Sequence, residues 1–175
     1  VVVSGLEGLG VELPAILCFT HSVPLNTDII KVSDNAKRLE EWIHFHLLVG
    51  FDHLFIYDNS GRNSTDLSQI VSKFSKNKVT YHRWNCQTCN NNRPGHHNPG
   101  ERSSQYAAEA SCRERYGTLT EWMSFIDTDE YLVPMKANER GEYNWNAILD
   151  EMDSKDVSIL KFLSSRGKPR MDFME

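Results

Sequence analysis

Apolar residues recur along this chain in two alternating patterns. Continuous runs of about five come first: "AILCF" (15 to 19), "HLFIY" (53 to 57), "VTYHRW" (79 to 84), "WMSFI" (122 to 126) and "VSILKFL" (157 to 163). Their length and their β-branched and aromatic content predict strands buried on both faces. Between them the spacing changes to three and four. In "AKRLEEWIHFHLLVG" (36 to 50) the stripe is Leu39, Trp42, Ile43, His46 and Leu47, and Gly50 ends it. In "STDLSQIVSKF" (64 to 74) it is Leu67, Ile70, Val71 and Phe74 behind a Ser64 cap, with Asp66 suited to the positive helix start. "SSQYAAEASCRERYG" (103 to 117) aligns Gln105, Ala108, Cys112 and Tyr116, and "YNWNAILDEM" (143 to 152) aligns Trp145, Ile148, Leu149 and Met152. These are amphipathic helices. Strand and helix alternate throughout, which predicts an α/β fold with a mostly parallel sheet flanked by helices. There is no internal repeat and no low-complexity block.

Composition narrows the classes little. The 175 residues are 39% hydrophobic and 25% charged, an ordinary globular balance that can bury a core without staples. One domain spanning 1 to 175 is the natural expectation. The formal net charge of −5 argues against a nucleic-acid surface, which wants a basic face. No apolar run approaches the ~18 residues of a membrane span, so this segment itself makes no membrane contact. The chain opens on Val1, and "PRMDFME" closes no evident element, so a fragment of a longer protein is expected. The four cysteines, Cys18, Cys86, Cys89 and Cys112, are too few for a disulfide scaffold, and spacing does not settle their pairing. "NST" at Asn63 fits a glycosylation sequon, a chance tripeptide or a helix cap.

Acids end two of the predicted strands: Asp58 the second, and Asp127, Asp129 and Glu130 the fourth. Open α/β sheets bind ligands outside the carboxyl ends of their strands. If the chain stays extended after Ile126, Asp127 and Asp129 point to one side and repel. A hard divalent cation, Mn²⁺ or Mg²⁺, would relieve that repulsion and could bridge to substrate phosphates. The competing reading is a solvated acidic turn, since D-x-D alone is common. A rival metal site is "CQTC" (86 to 89) with His96 and His97, whose short spacing suits zinc poorly. A disulfide within that loop or to Cys112, or free thiols, are the alternatives. His46 lies on an apolar stripe and reads as a core histidine; His44 reads as solvated.

Three blocks in order carry a resemblance. "EEWIHFHLLVGFDHLFIYDNS" (40 to 60) resembles the glycosyltransferase family 92 pattern E-W-I-x-[YF]-H-x-x-x-G followed by Y-D-N-x-S. It does so through Glu41, Trp42, Ile43, Phe45, His46, Gly50, Tyr57, Asp58 and Asn59. "QYAAEASCRERYG" resembles the family's Q-x-x-A-x-x-x-C-x-x-x-[YF] through Gln105, Ala108, Cys112 and Tyr116. "WMSFIDTDEYLVP" resembles W-x-x-x-I-D-x-D-E-[FY]-[LI]-x-P through Trp122, Ile126, Asp127, Asp129, Glu130, Tyr131, Leu132 and Pro134.

The resemblance implies a GT-A-like nucleotide-sugar-binding domain and an inverting, metal-dependent hexosyltransferase. UDP-galactose would be the donor and a glycan the acceptor. It implies Mn²⁺, or Mg²⁺, on Asp129 with Asp127 beside it. Asp58, Gln105 and Asp127 would be donor-binding, with Glu130 in support. It also implies a type II membrane protein with this segment on the lumenal side of the Golgi. Two alternatives stand beside it: a non-catalytic carbohydrate- or nucleotide-sugar-binding fragment of the same fold, and a metal-dependent hydrolase or phosphotransferase reusing the acids. The loop "CNNNRPGHHNPGE" matches no block of the family. "FLSSRGKPRMDF" (162 to 173) resembles the start of an acceptor half, where the general base is expected. No residue is nominated for that role.

Overall fold

A computed structural model describes residues 2–4, 15–21, 30–58, 67–84, 101–128, 130–137, 141–162 and 165, with side chains in all but 2–4, 15–21, 30–37 and 101–104. The elements run β1 (Val2–Ser4), β2 (Ala15–His21), α1 (Ile30–Leu48), β3 (His53–Asp58), α2 (Ser68–Val71), β4 (Val79–Arg83), α3 (Glu101–Tyr116), β5 (Trp122–Ile126), α4 (Trp145–Asp153) and β6 (Ile159–Leu160). They build one six-stranded sheet in the order β4-β3-β2-β5-β1-β6. β2 is parallel to β3 and to β5, β3 is parallel to β4, and β1 runs antiparallel to both β5 and β6. The protein is therefore α/β with a parallel centre.

Two cores lie on opposite faces of the sheet. Side chains alternate across a strand, so β3 sends Leu54 and Ile56 to one face and Phe55 and Tyr57 to the other. The first pair joins Leu39, Trp42 and Ile43 of α1, Ile70 and Val71 of α2, and Trp145 and Leu149 of α4. The second pair meets Ala108 and Cys112 of α3, with Met123 of β5. β3 is buried from Leu54 onward, as expected of a strand covered on both sides.

α1 ends in a Schellman motif. The Phe51 N–H donates to the His46 carbonyl at 3.0 Å, and the Gly50 N–H donates to that of Leu47 at 3.4 Å. Gly50 has φ of +103°, a conformation that L side chains rarely adopt.

Some expectations are corrected. α1 begins at Ile30, six residues before the periodic run at 36. The polar Ser33-Asp34-Asn35 run has low helix propensity, yet extending a formed helix costs little. α2 is a single turn. It gives way to tight turns in which Lys73 and Phe74 N–H groups reach back three residues to Ile70 and Val71. Its expected Ser64 cap lies outside the described residues. The last strand shrinks to Ile159–Leu160. The N-terminal β1 was missed, although its valines have strong β propensity.

Candidate functional site

The sheet registers place the acids at one edge. Ile126 lies level with Phe19, and Phe19 with Ile56. Asp127 and Asp58 therefore both sit at the carboxyl ends of parallel strands, separated by β2. At two strand spacings that is roughly 10 Å. Alternation sends them to different faces. Asp58 follows Leu54 and Ile56, whereas Asp127 follows Phe125 toward α3.

Asp127 is held from that side by α3. The Gln105 side-chain amide donates to Asp127 Oδ1 at 3.2 Å. Beyond Asp127 the chain turns at once: the Glu130 N–H donates to the Asp127 carbonyl at 3.0 Å. The Glu130 carboxylate returns a bond, accepting the Asp127 N–H at 3.2 Å. The strand itself stops at Ile126 and the chain turns there, so the condition of an extended chain after Ile126 is not met. Asp129 lies outside the described residues. Asp127 is half-buried and Glu130 exposed.

The chain after the turn is pinned by side chains rather than by a neighbouring strand. The Trp42 indole N–H donates to the Glu130 carbonyl at 2.8 Å. His46 Nε2 accepts the Leu132 N–H at 3.3 Å, and the Trp145 indole donates to the Leu132 carbonyl at 2.8 Å. His46 Nδ1 lies 2.8 Å from the Trp42 carbonyl, which can only accept. His46 is therefore the neutral Nδ1–H tautomer. Burial, partly offset by the bond to Trp42, lowers its pKa to about 4. The ring is fully buried and stacks on Tyr131. His46 is the core histidine that its position on the stripe predicts, and His44 is exposed. Sequence reasoning missed the polar roles of Trp42 and His46. The available signal was two hydrogen-bonding residues one helical turn apart on an otherwise apolar stripe.

Asp58 occupies a different setting. It is completely buried, and its Oδ2 accepts from Tyr81 Oη at 2.5 Å and from Arg83 Nη1 at 2.8 Å. The same residue's carbonyl accepts the Trp84 N–H at 2.8 Å. A buried carboxylate needs such partners. Tyr81 responds: burial first, and then its bond to Asp58, push the phenol up to about 12. This knot ties the ends of β3 and β4 together. On the other face, Tyr57, His82 and Tyr116 form an aromatic group, with His82 Nε2 2.8 Å from the Tyr116 hydroxyl.

Among the described residues no three His, Cys, Asp or Glu side chains group as a metal site. The "CQTC" loop and its histidines, and Asn63, lie outside the described residues. Cys112 is fully buried and disulfide-bonded, to a residue whose side chain is not among those described. Beneath β5, Trp122 and Ser124 line a small hollow with Phe51, Leu132, Trp145, Leu149 and Phe162. Trp122 Nε1 and Ser124 Oγ are buried without a hydrogen-bond partner among the described residues. Among the described residues no helix is long and apolar enough to cross a membrane.

A parallel-centred α/β sheet with an acidic turn at a strand's carboxyl end is an architecture that binds ligands at that edge. The family itself comes from comparison with known proteins: residues 29–171 match the model of glycosyltransferase family 92, and the chain belongs to that family. It is 30% identical over 99 residues to a glycosyltransferase family 92 protein of Oryza sativa subsp. japonica, covering 57% of this chain and 14% of that protein. It is 32% identical over 101 residues to a glycosyltransferase family 92 protein of Ricinus communis, covering 56% of this chain and 15% of that protein. The chain thus matches about one-seventh of the length of these curated relatives. No solved structure matches.

Proposed function

We propose that this chain forms the donor-binding part of a metal-dependent glycosyltransferase of GT-A-like fold. It would transfer galactose from UDP-galactose to a glycan with inversion at the anomeric carbon. The observation that carries the reading is Asp127, held at the carboxyl end of β5 by Gln105 from α3 and bonded both ways to Glu130. A carboxylate fixed in this way is oriented before any ligand arrives, which lowers the cost of ordering a donor.

Mn²⁺ or Mg²⁺ fits the oxygen donors that the turn offers. Asp129 would hold the ion, with Asp127 beside it, and Glu130 would support the turn. The ion would neutralise a diphosphate leaving group. Gln105 orients the Asp127 carboxylate and would face the donor. The described geometry assigns Asp58 to joining β3 and β4, and its place at the same edge leaves the nucleoside as its neighbour in this proposal. The buried disulfide at Cys112 supports the lumenal side of the Golgi as the working compartment, because disulfides persist where the environment is oxidising.

Thermal unfolding with UDP, with and without Mn²⁺, tests the reading. Binding to the folded state alone stabilises by about 2.7 kcal/mol at a hundredfold excess over Kd. The wild type should gain stability from UDP only when Mn²⁺ is present, and Asp129→Ala and Asp127→Asn should lose that gain. No shift in the wild type would remove the donor site. A shift without transfer or hydrolysis of UDP-galactose would leave a binding module in place of an enzyme.

A further inference from the structure

We infer that His46 and Trp42 are positioning residues for the acidic turn, fixing the backbone of Glu130 and Leu132 against α1 and so holding Asp127 in place. The inference rests on reading Asp127 as a donor-site residue. Residues 130 to 135 form no helix or strand, so their backbone groups must find partners elsewhere. Three of them take side chains. The Glu130 carbonyl takes Trp42, the Leu132 N–H takes His46, and the Leu132 carbonyl takes Trp145.

The restraint reaches the acid through consecutive hydrogen bonds. Trp42 holds Glu130, and Glu130 is bonded both ways to Asp127. Gln105 then grips Asp127 from α3. Asp127 is therefore clamped between helices on opposite faces of the sheet. If Glu130 drifts from α1, both of its bonds to Asp127 shift with it, while Gln105 still pulls from the other side.

His46 suits the task because burial keeps it neutral. One nitrogen is committed as donor to its own helix, and the other is left as acceptor for Leu132. A protonated ring could not accept. Packing alone would ask only for an aromatic ring at this position. The acceptor nitrogen is the feature that packing does not need.

The test compares three variants of the full-length protein. His46→Phe keeps a ring but removes the acceptor, His46→Gln restores an acceptor, and Trp42→Phe removes the indole donor. Hydrogen exchange is followed in peptides covering 130 to 135 and, as an internal control for folding, 122 to 126. UDP binding in Mn²⁺ and donor kinetics are measured beside it. In the two Phe variants, exchange in 130 to 135 should speed about tenfold while 122 to 126 keeps its protection. UDP should bind about fivefold more weakly or worse, the span expected for losing one hydrogen bond. The donor KM should rise more than kcat falls. His46→Gln should recover much of each change.

Phe variants that keep wild-type protection, or that bind UDP as the wild type does, overturn the inference. So does a His46→Gln variant no better than His46→Phe. A wild type that binds no UDP with Mn²⁺ overturns the donor-site reading first, and the positioning role with it.

Discussion

Protonating His46 would remove its acceptor nitrogen and place a charge in a dry core, so the fold itself resists the proton. The linkage has a definite sign. The imidazole titrates near 6.5 when unfolded and at about 4 when folded, so the unfolded chain binds the proton more readily in between. Its contribution is complete above pH 6.5, is lost as pH falls toward about 4, and changes no further below that. At 1.36 kcal/mol per pKa unit the loss is about 3 kcal/mol. His53 and His82, also lowered chiefly by burial, add to the same trend. Urea unfolding between pH 7.5 and 4.5 should show stability falling with acid, and the slope should be shallower in His46→Gln. Equal slopes would mean that the folded ring titrates normally. That His46 is buried was legible in its stripe. That it bonds Leu132, 86 residues away, was not, because a one-dimensional pattern gives a face and not a partner.

At the scale of elements, the joint between α1 and α4 depends on an absent Cβ. Asn144 caps α4 by accepting the Asn146 N–H at 2.8 Å. The Trp145 N–H next to it donates to the Val49 carbonyl at 2.8 Å. Gly50 lies so close that a Cβ there would stand 2.3 Å from Asn144 Oδ1. Gly50→Ala should therefore strain the helix end and dislodge the cap together. A loss of about 2–4 kcal/mol is expected, from a strained backbone position plus a lost cap. Chemical denaturation reads it, and a change within 0.5 kcal/mol would mean that the cap moves aside freely. The glycine stop was readable from sequence as the end of a helix. Its closeness to Asn144 was not, because that contact exists only once α4 has docked.

For the whole molecule, the Cys112 disulfide adds a covalent tie to α3, the helix on the face opposite α1 and α4. Cys112 is fully buried within the second core. Cys112→Ala should lower unfolding stability by about 2–5 kcal/mol. Mild reduction of the wild type should reproduce much of that loss, while Cys112→Ala should show no further response to reductant. If the wild type ignores reductant and the variant is fully stable, the bond contributes nothing to the fold. Loss of α3 packing would also release Gln105, so the variant should respond more weakly to UDP with Mn²⁺.

The alternation of continuous and three-four periodic apolar runs determined the class of fold, because each secondary structure has its own period and both must bury one face. It also determined which helix faces turn inward: Leu39, Trp42, Ile43 and His46 on α1, Ala108 and Cys112 on α3, and Trp145 and Leu149 on α4 are all buried. The family blocks pointed to the acids at the carboxyl edge. Only the tertiary structure decided what Asp58, Asp127 and Glu130 bond to. It ended β5 at Ile126 and turned the chain there, bonding Glu130 to Asp127. It closed Asp58 into a knot with Tyr81 and Arg83, and it brought Gln105, Trp42 and His46 onto the turn around Asp127. These contacts join residues from 22 to 88 positions apart, and local periodicity carries no information over such separations.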